Sequence, residues 1–240
     1  MMKVTVYTAI FGKRDRLWSV YPLAIAGAEY VCFSDRPRRD QGLWTSRGNP
    51  AIRPGTKKLV VPQVWDVRVV KSTWGPRRTA RHYKTMPQLY MPDADVWIWV
   101  DGNVRLTLAP QRAVSRWLKS GDLATFKHPD RGCLYHEGVF CALKNKDSKE
   151  VLERQARAYR ADGMPRSWGL AENRCVIRRN TPEIRELGEL WWAEIREHSV
   201  RDQVSFPYVC WQLGLRWRII PGRIWARNTH KHFYFSKHGA

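Results

Sequence analysis

The chain has 240 residues, of which 42 are lysine or arginine and 22 aspartate or glutamate, a formal net charge of +20. That length suits one α/β domain with a substantial core, and no Ser/Gly linker, low-complexity tract or internal repeat divides it, so a single domain over residues 1–240 is expected. The charge favours anionic partners (nucleotide diphosphates, acidic lipid headgroups, phosphorylated glycans or nucleic acid) without choosing among them, and the basic residues are scattered, unlike a lysine-rich nucleic-acid arm. No apolar stretch is long enough to span a membrane and the start lacks a signal-peptide core. A cytoplasmic protein is expected, able to touch the inner face of an anionic membrane through its basic surface. The five cysteines show no CxxC or zinc spacing and read as reduced and mostly buried.

In chain order, Lys3 to Ala9 reads as a first strand, running into Ile10-Phe11-Gly12 and the charged Lys13-Arg14-Asp15. A strand entering a glycine loop often opens a nucleotide site. Glu29 to Asp35 is a second strand, whose terminal Asp35 either hydrogen-bonds a ribose or base or caps the next turn. Residues 36–56 read as a surface loop and Lys57 to Val61 as a short third strand. A helix is expected from Pro76 to Met91, with Arg81 and Lys84 on one face, either facing a ligand or forming a solvated basic surface.

The stretch Val96-Trp97-Ile98-Trp99-Val100-Asp101-Gly102-Asn103 is the most informative. Five unbroken apolar residues suit a central strand buried on both faces, which places Asp101 at its carboxyl end, where open α/β sheets bind ligands. Asn103 adds a second oxygen, and a divalent cation against a diphosphate is the chemistry such a turn supports; Asp-Gly and Asn are also ordinary turn residues.

Beyond it, a helix from Pro110 to Lys119 and a strand from Asp122 to Phe126 are expected. A loop dense in functional groups follows from Lys127 to Glu137, with His128, Arg131, Tyr135 and Glu137. Gly138 to Leu143 reads as a strand and Asp147 to Ala161 as a peripheral helix. Ser167 to Asn173, with Trp168 and Glu172, forms a second turn-and-acid cluster before a strand at Cys175 to Ile177. Thr181-Pro182-Glu183 opens a helix running to about Ser199, and Arg201-Asp202-Gln203 opens another through Gln212. Arg216 to Ile220 is a last short strand, before a tail holding His230, His232 and His238. Thirteen tryptophans offer faces that stack on sugars or bases, although Trp97, Trp99 and one of Trp191 and Trp192 suit the core.

Taken in order, these pieces resemble the glycosyltransferase-like family once catalogued as domain of unknown function 616, with members in plants and bacteria. The matching residues are Tyr7 to Gly12, Cys32-Phe33-Ser34-Asp35, Arg81, Lys84 and Pro87, and Trp97 to Asn103. They continue with His128, Arg131, Cys133, Tyr135 and Glu137, then Gly169-Leu170-Ala171-Glu172, Ile177-Arg178, Trp191 to Glu194, Ser199, and Arg201 to Phe206. Two residues depart from the family pattern: Gln88, and Arg179 before Asn180, each where a histidine is usual.

The resemblance implies a GT-A fold, a Rossmann-like domain with a mixed, mostly parallel central sheet flanked by helices. It implies transfer of a sugar from a nucleotide sugar, a UDP-sugar being the first expectation, to a glycan or glycolipid. The donor site is then expected at Thr8, Phe11, Gly12, Asp35, Arg81, Lys84, Asp101 and Asn103, and acceptor contacts at His128, Arg131, Tyr135, Glu137 and Trp168. Mn²⁺ or Mg²⁺ is expected on Asp101 and Asn103, completed by His230. Asp202-Gln203 is similar to an element of retaining transferases beside the anomeric carbon, and Glu172 is a further carboxylate for the chemistry. The rival expectations are a basic nucleic-acid-binding domain and a catalytically inactive glycan-binding relative.

Overall fold

The computed structural model describes residues 2–13, 15–21, 24–25, 27–39, 43–44, 59–60, 63–222 and 230–236. Its elements in order are β1 (Val4–Ile10), β2 (Ala28–Ser34), β3 (Leu43–Trp44), β4 (Leu59–Val60), β5 (Asp66–Val69), α1 (Gly75–Thr85), β6 (Val96–Val100) and β7 (Val104–Leu106). They continue with α2 (Pro110–Ala113, carried on by a π-helical turn over Val114–Leu118), β8 (Leu123–Lys127), α3 (Leu134–Leu143), α4 (Lys149–Ala161), β9 (Ala171–Arg179), α5 (Pro182–Glu197), α6 (Asp202–Gln212), β10 (Arg218–Ile220) and β11 (Phe233–Phe235). Most of the loop expected at 36–56, the ends of the strand expected at 57–61, and His238 lie outside the described residues.

Seven strands form one sheet in the order β10-β8-β9-β6-β1-β2-β5. Every neighbouring pair is parallel except the two made by β9, which runs antiparallel between β6 and β8. This is the mixed, mostly parallel sheet of the expected fold class. Strand alternation divides the core: Trp97 and Trp99 of β6 pack on one face with α1, α3, α4, α5 and α6, while Val96, Ile98 and Val100 face the other with α2 and the β7/β11 ribbon. β1 and β6 are buried at every residue; β6 is apolar without a break, and β1 is apolar apart from Thr5 and Thr8.

Two expected elements are corrected. Gly138–Leu143 is not a strand but the second half of α3, and the dense loop before it shrinks accordingly. Its buried residues (Leu134, Tyr135, Glu137, Gly138, Cys141) recur at helical spacing while Val139 and Leu143 are exposed, a pattern that a six-residue apolar run hides. The helix expected to reach Met91 ends at Thr85, because Pro87 disfavours helical backbone at the residue before it; a single 3₁₀ turn, Pro87–Leu89, follows. All five cysteines are buried and free. Among the described residues, no helix is long and apolar enough to cross a membrane.

Candidate active site

The carboxyl ends of β1 and β6 open onto a cleft of about 350 Å³. Sheet, helices and turns each deliver residues to it for an identifiable reason. β1 runs out into Phe11 and Gly12, and β6 into Asp101 and Gly102. The two turns approach so closely that a Cβ on Gly102 would lie 3.0 Å from Ile10 Cγ1 and 3.2 Å from Asp15 Cβ. β9 contributes Glu172, Asn173 and Arg174 through an irregularity: its pairing with β8 jumps from Thr125↔Val176 to Phe126↔Glu172, so residues 173–175 bulge out of the ladder. Thr125 Oγ1 holds the bulge by donating to the carbonyls of Glu172 (3.1 Å) and Cys175 (2.8 Å). α6 begins at the cleft with Asp202 and Gln203, whereas α1 runs along it and presents Pro76, Arg77, Ala80, Arg81 and Lys84 from one face.

Six cationic side chains (Lys13, Arg77, Arg81, Lys84, Arg174, Arg201) and four acids (Asp15, Asp101, Glu172, Asp202) line the cleft among the described residues. Asp202 is at the centre. One of its oxygens lies 3.1 Å from Arg81 Nη2, and the other accepts a 2.6 Å bond from Lys84 Nζ. Burial alone would raise its pKa, but the charges of Arg81 and Lys84 outweigh it and bring it to about 2. It does not cap α6; no side chain does. The whole stretch Asp202–Cys210 is buried, so this helix carries its opening acid into the interior.

Gln203 links the cleft to a second network. Its Nε2 donates to Glu172 Oε2 (3.0 Å) and its Oε1 accepts from Arg201 Nη2 (2.9 Å). Glu172 also accepts from Arg174 Nε at 3.0 Å. Burial raises the Glu172 pKa, Arg174 pulls it down, and the nearby Asp101 pushes it up again; the net direction is up. Behind these residues, Arg131 Nε donates to Glu137 Oε2 at 2.6 Å, and His128 Nε2 lies 3.7 Å from Glu137 and 3.8 Å from Glu172.

The structure therefore brings together Phe11, Gly12, Arg81, Lys84, Asp101, Glu172, Asp202 and Gln203. The other expected contacts are relocated. Thr8 is buried in β1, and Asp35 holds the cleft loop from outside, accepting from the Gly12 N–H at 2.8 Å. His128, Arg131 and Glu137 form a supporting layer behind Gln203 and Glu172 and do not line the cleft. Tyr135 is a core residue whose hydroxyl donates to Met164 O, and Trp168 lies under the Arg216 guanidinium in a separate depression. The structure adds Asn173, Arg174 and Arg77 to the expected set. Arg174 and Asn173 reach the cleft only because of the bulge, which no local residue pattern announces.

The expected metal set does not assemble. Asn103 turns its amide away, donating to Ser236 O at 3.0 Å. His230 packs on Phe126 and Phe233 with Nε2 2.7 Å from Pro221 O, away from the cleft. Asp101 keeps the position expected of it, but its Oδ1 accepts from Trp99 Nε1 (2.8 Å) and lies 3.5 Å from the Lys84 ammonium. Among the described residues, no three His, Cys, Asp or Glu side chains converge as a metal centre would need. The residues present do not fit the divalent ion implied by the resemblance.

The sequence profile of the TOD1/MUCI70, glycosyltransferase-like domain matches residues 1–233. A probable hexosyltransferase, MUCI70 of Arabidopsis thaliana, is 23% identical over 228 residues, which cover 86% of this chain and 37% of the plant protein. The chain thus spans well under half of that relative's length.

Proposed function

The chain belongs to the TOD1/MUCI70 glycosyltransferase-like domain family, and from that premise we propose that it transfers a hexosyl group from a nucleotide sugar to a glycan or glycolipid acceptor. One observation carries the reading. The opening residues of α6, Asp202 and Gln203, share a cleft with Arg81, Arg174 and the acid that ends β6. A sugar nucleotide brings a diphosphate, which calls for fixed cations, and a pyranose, which calls for carboxylate and amide partners.

In this reading the diphosphate lies against Arg81 and Arg77 on the cleft face of α1, where guanidinium groups meet an anion. The reacting sugar lies toward Asp202 and Gln203, whose positions are fixed by Lys84, Arg201 and Glu172. Departure of the diphosphate builds negative charge, and the barrier falls because cations are already in place. Glu172, biased by burial toward its protonated form, is placed to hydrogen-bond a sugar or acceptor hydroxyl. Transfer with retention fits an Asp-Gln pair beside the anomeric carbon. A UDP-sugar donor and action at the inner face of a membrane complete the proposal.

The test is incubation with a panel of nucleotide sugars and simple glycan or glycolipid acceptors, following nucleotide release and product mass. Slow donor hydrolysis without acceptor, abolished in Gln203→Ala, is expected. A chain that neither binds nor consumes any donor sinks the reading in favour of a glycan-binding relative.

A further inference from the structure

We propose that Lys84 is a resident cation that replaces a divalent ion, so that this chain binds its donor and transfers sugar without any divalent metal. The proposal rests on the donor reading above and concerns how the same cleft handles the charge of the leaving group.

Lysine is among the side chains least often fully buried, yet Lys84 is 1% exposed. The fold surrounds it with several independent anchors. Its carbonyl accepts from Tyr7 OH at 2.8 Å and also from the buried guanidinium of Arg178. Its ammonium lies over two tryptophans, with Nζ 5.3 Å from the Trp99 ring centre and 6.0 Å from that of Trp191. The ammonium donates to Asp202 Oδ2 and to Asn173 O, both at 2.6 Å, and lies 3.5 Å from Asp101 Oδ1. The positive charge thus sits between the acid that ends β6 and the acid that opens α6, where a metal bridging those carboxylates would have to stand. A second cation entering there would meet Lys84 at close range, with Arg81 already on the other Asp202 oxygen.

Two of the ammonium's three protons are committed at 2.6 Å, and the third is shared only loosely with Asp101. That third proton is available to a phosphate oxygen. As the bond between the anomeric carbon and the diphosphate oxygen breaks, its electron pair stays on that oxygen, which gains one negative charge. The acceptor oxygen forms the new bond to the anomeric carbon, and its proton passes to the departing phosphate. Lys84 stabilises the charge throughout by hydrogen bonding and gives up no proton, so the step needs no co-reactant.

Calorimetry on the full chain with UDP, GDP and dTDP, each in chelator and in Mn²⁺, decides the matter together with a spin-resonance titration of Mn²⁺ alone. The best-binding nucleotide should bind with the same affinity, within about twofold, in both buffers, and Mn²⁺ alone should stay free. Lys84→Gln, with its fold checked by circular dichroism, should bind that nucleotide about tenfold more weakly in chelator. It should also acquire Mn²⁺ affinity, since Asp101 and Asp202 would then face each other without the ammonium. Tightening of wild-type binding by tenfold or more in Mn²⁺ overturns the inference and leaves the donor reading intact. Absence of binding in either buffer overturns the donor reading and the inference with it. Should Lys84→Gln fail to fold, the wild-type comparison still decides.

Discussion

Each oxygen of Asp202 faces a different cation, and both the pH behaviour and the mutational cost of that residue follow. Its folded pKa of about 2 lies below the ordinary 3.8, so its contribution to stability is complete above about pH 4 and is lost as pH falls toward 2. The amount is about 2 kcal/mol. Glu172 has the opposite sign: its raised pKa means that stability declines as pH rises through the range between its ordinary value of 4.5 and its folded one. Urea unfolding from pH 7 down to pH 2.5 should therefore show an acid limb that flattens in Asp202→Asn. That variant also strands Lys84 beside a neutral amide, and breaking a buried pair costs roughly 3 kcal/mol or more. It should melt well below the wild type and lose turnover at least about tenfold. Unchanged melting and turnover in this variant would show that the two ion pairs support neither the fold nor the chemistry. Residue chemistry also decides which controls are sound. Arg38 falls in a stretch that reads as surface loop, yet its guanidinium donates to Ser34 Oγ, Asp15 O and Gly12 O, so substituting it would disturb the cleft loop itself.

At the scale of elements, the placement of Arg81 and Lys84 depends on how α1 meets α5. Gly188 makes that contact possible: a Cβ there would lie 2.5 Å from the Thr85 carbonyl oxygen, which also accepts from Arg178 Nη1 at 3.0 Å. Gly188→Ala should push the end of α1 outward, costing about 2 kcal/mol of stability from overpacking and weakening nucleotide binding in parallel. A thermal melt and a nucleotide titration check this; lost stability with unchanged affinity would show that α1 is not tied to the cleft in this way. The elements that could be read beforehand were those whose burial is complete or whose ends carry local signals. β1 and β6 are buried throughout, and Thr181-Pro182 both caps and starts α5, with Thr181 Oγ1 accepting from Ile184 N–H. β5, β7 and β11 are short strands held mainly by their partners, and they have no such signal. α3 is hidden in the sequence because its exposed Val139 and Leu143 make the run look uniformly buried. Within the cleft, Asp101, Asp202 and Gln203 were legible because each stands at the end of an element. The layering of His128, Arg131 and Glu137 behind them was not, because depth below a surface is set by packing between segments far apart in sequence.

Across the whole molecule, a net charge of +20 acts on every approaching anion, but its reach is limited to roughly 10 Å at 0.1 M salt. The contacts inside the cleft are shielded from that screening by burial. Stopped-flow measurements should therefore find nucleotide association slowing as salt rises from about 0.02 to 0.5 M, with dissociation nearly unchanged. If a short single-stranded nucleic acid bound more tightly than any nucleotide, with affinity falling steeply with salt, the cleft would have been assigned to the wrong ligand. The antiparallel β9 has a further consequence, for a chain emerging from the ribosome. β6 pairs with β1 on one edge only until residues 171–179 have been made, and α6, which completes the cleft, follows later still. Until then an edge of five apolar residues, two of them tryptophan, is unpaired, a form prone to strand-to-strand aggregation. A fragment ending near residue 165 should precipitate, whereas one ending at residue 222 should stay in solution, as sedimentation after expression would show. The molecule therefore covers its aggregation-prone edge before its cleft is complete: the strand that runs against the others closes the gap first, and the helix that carries Asp202 and Gln203 follows.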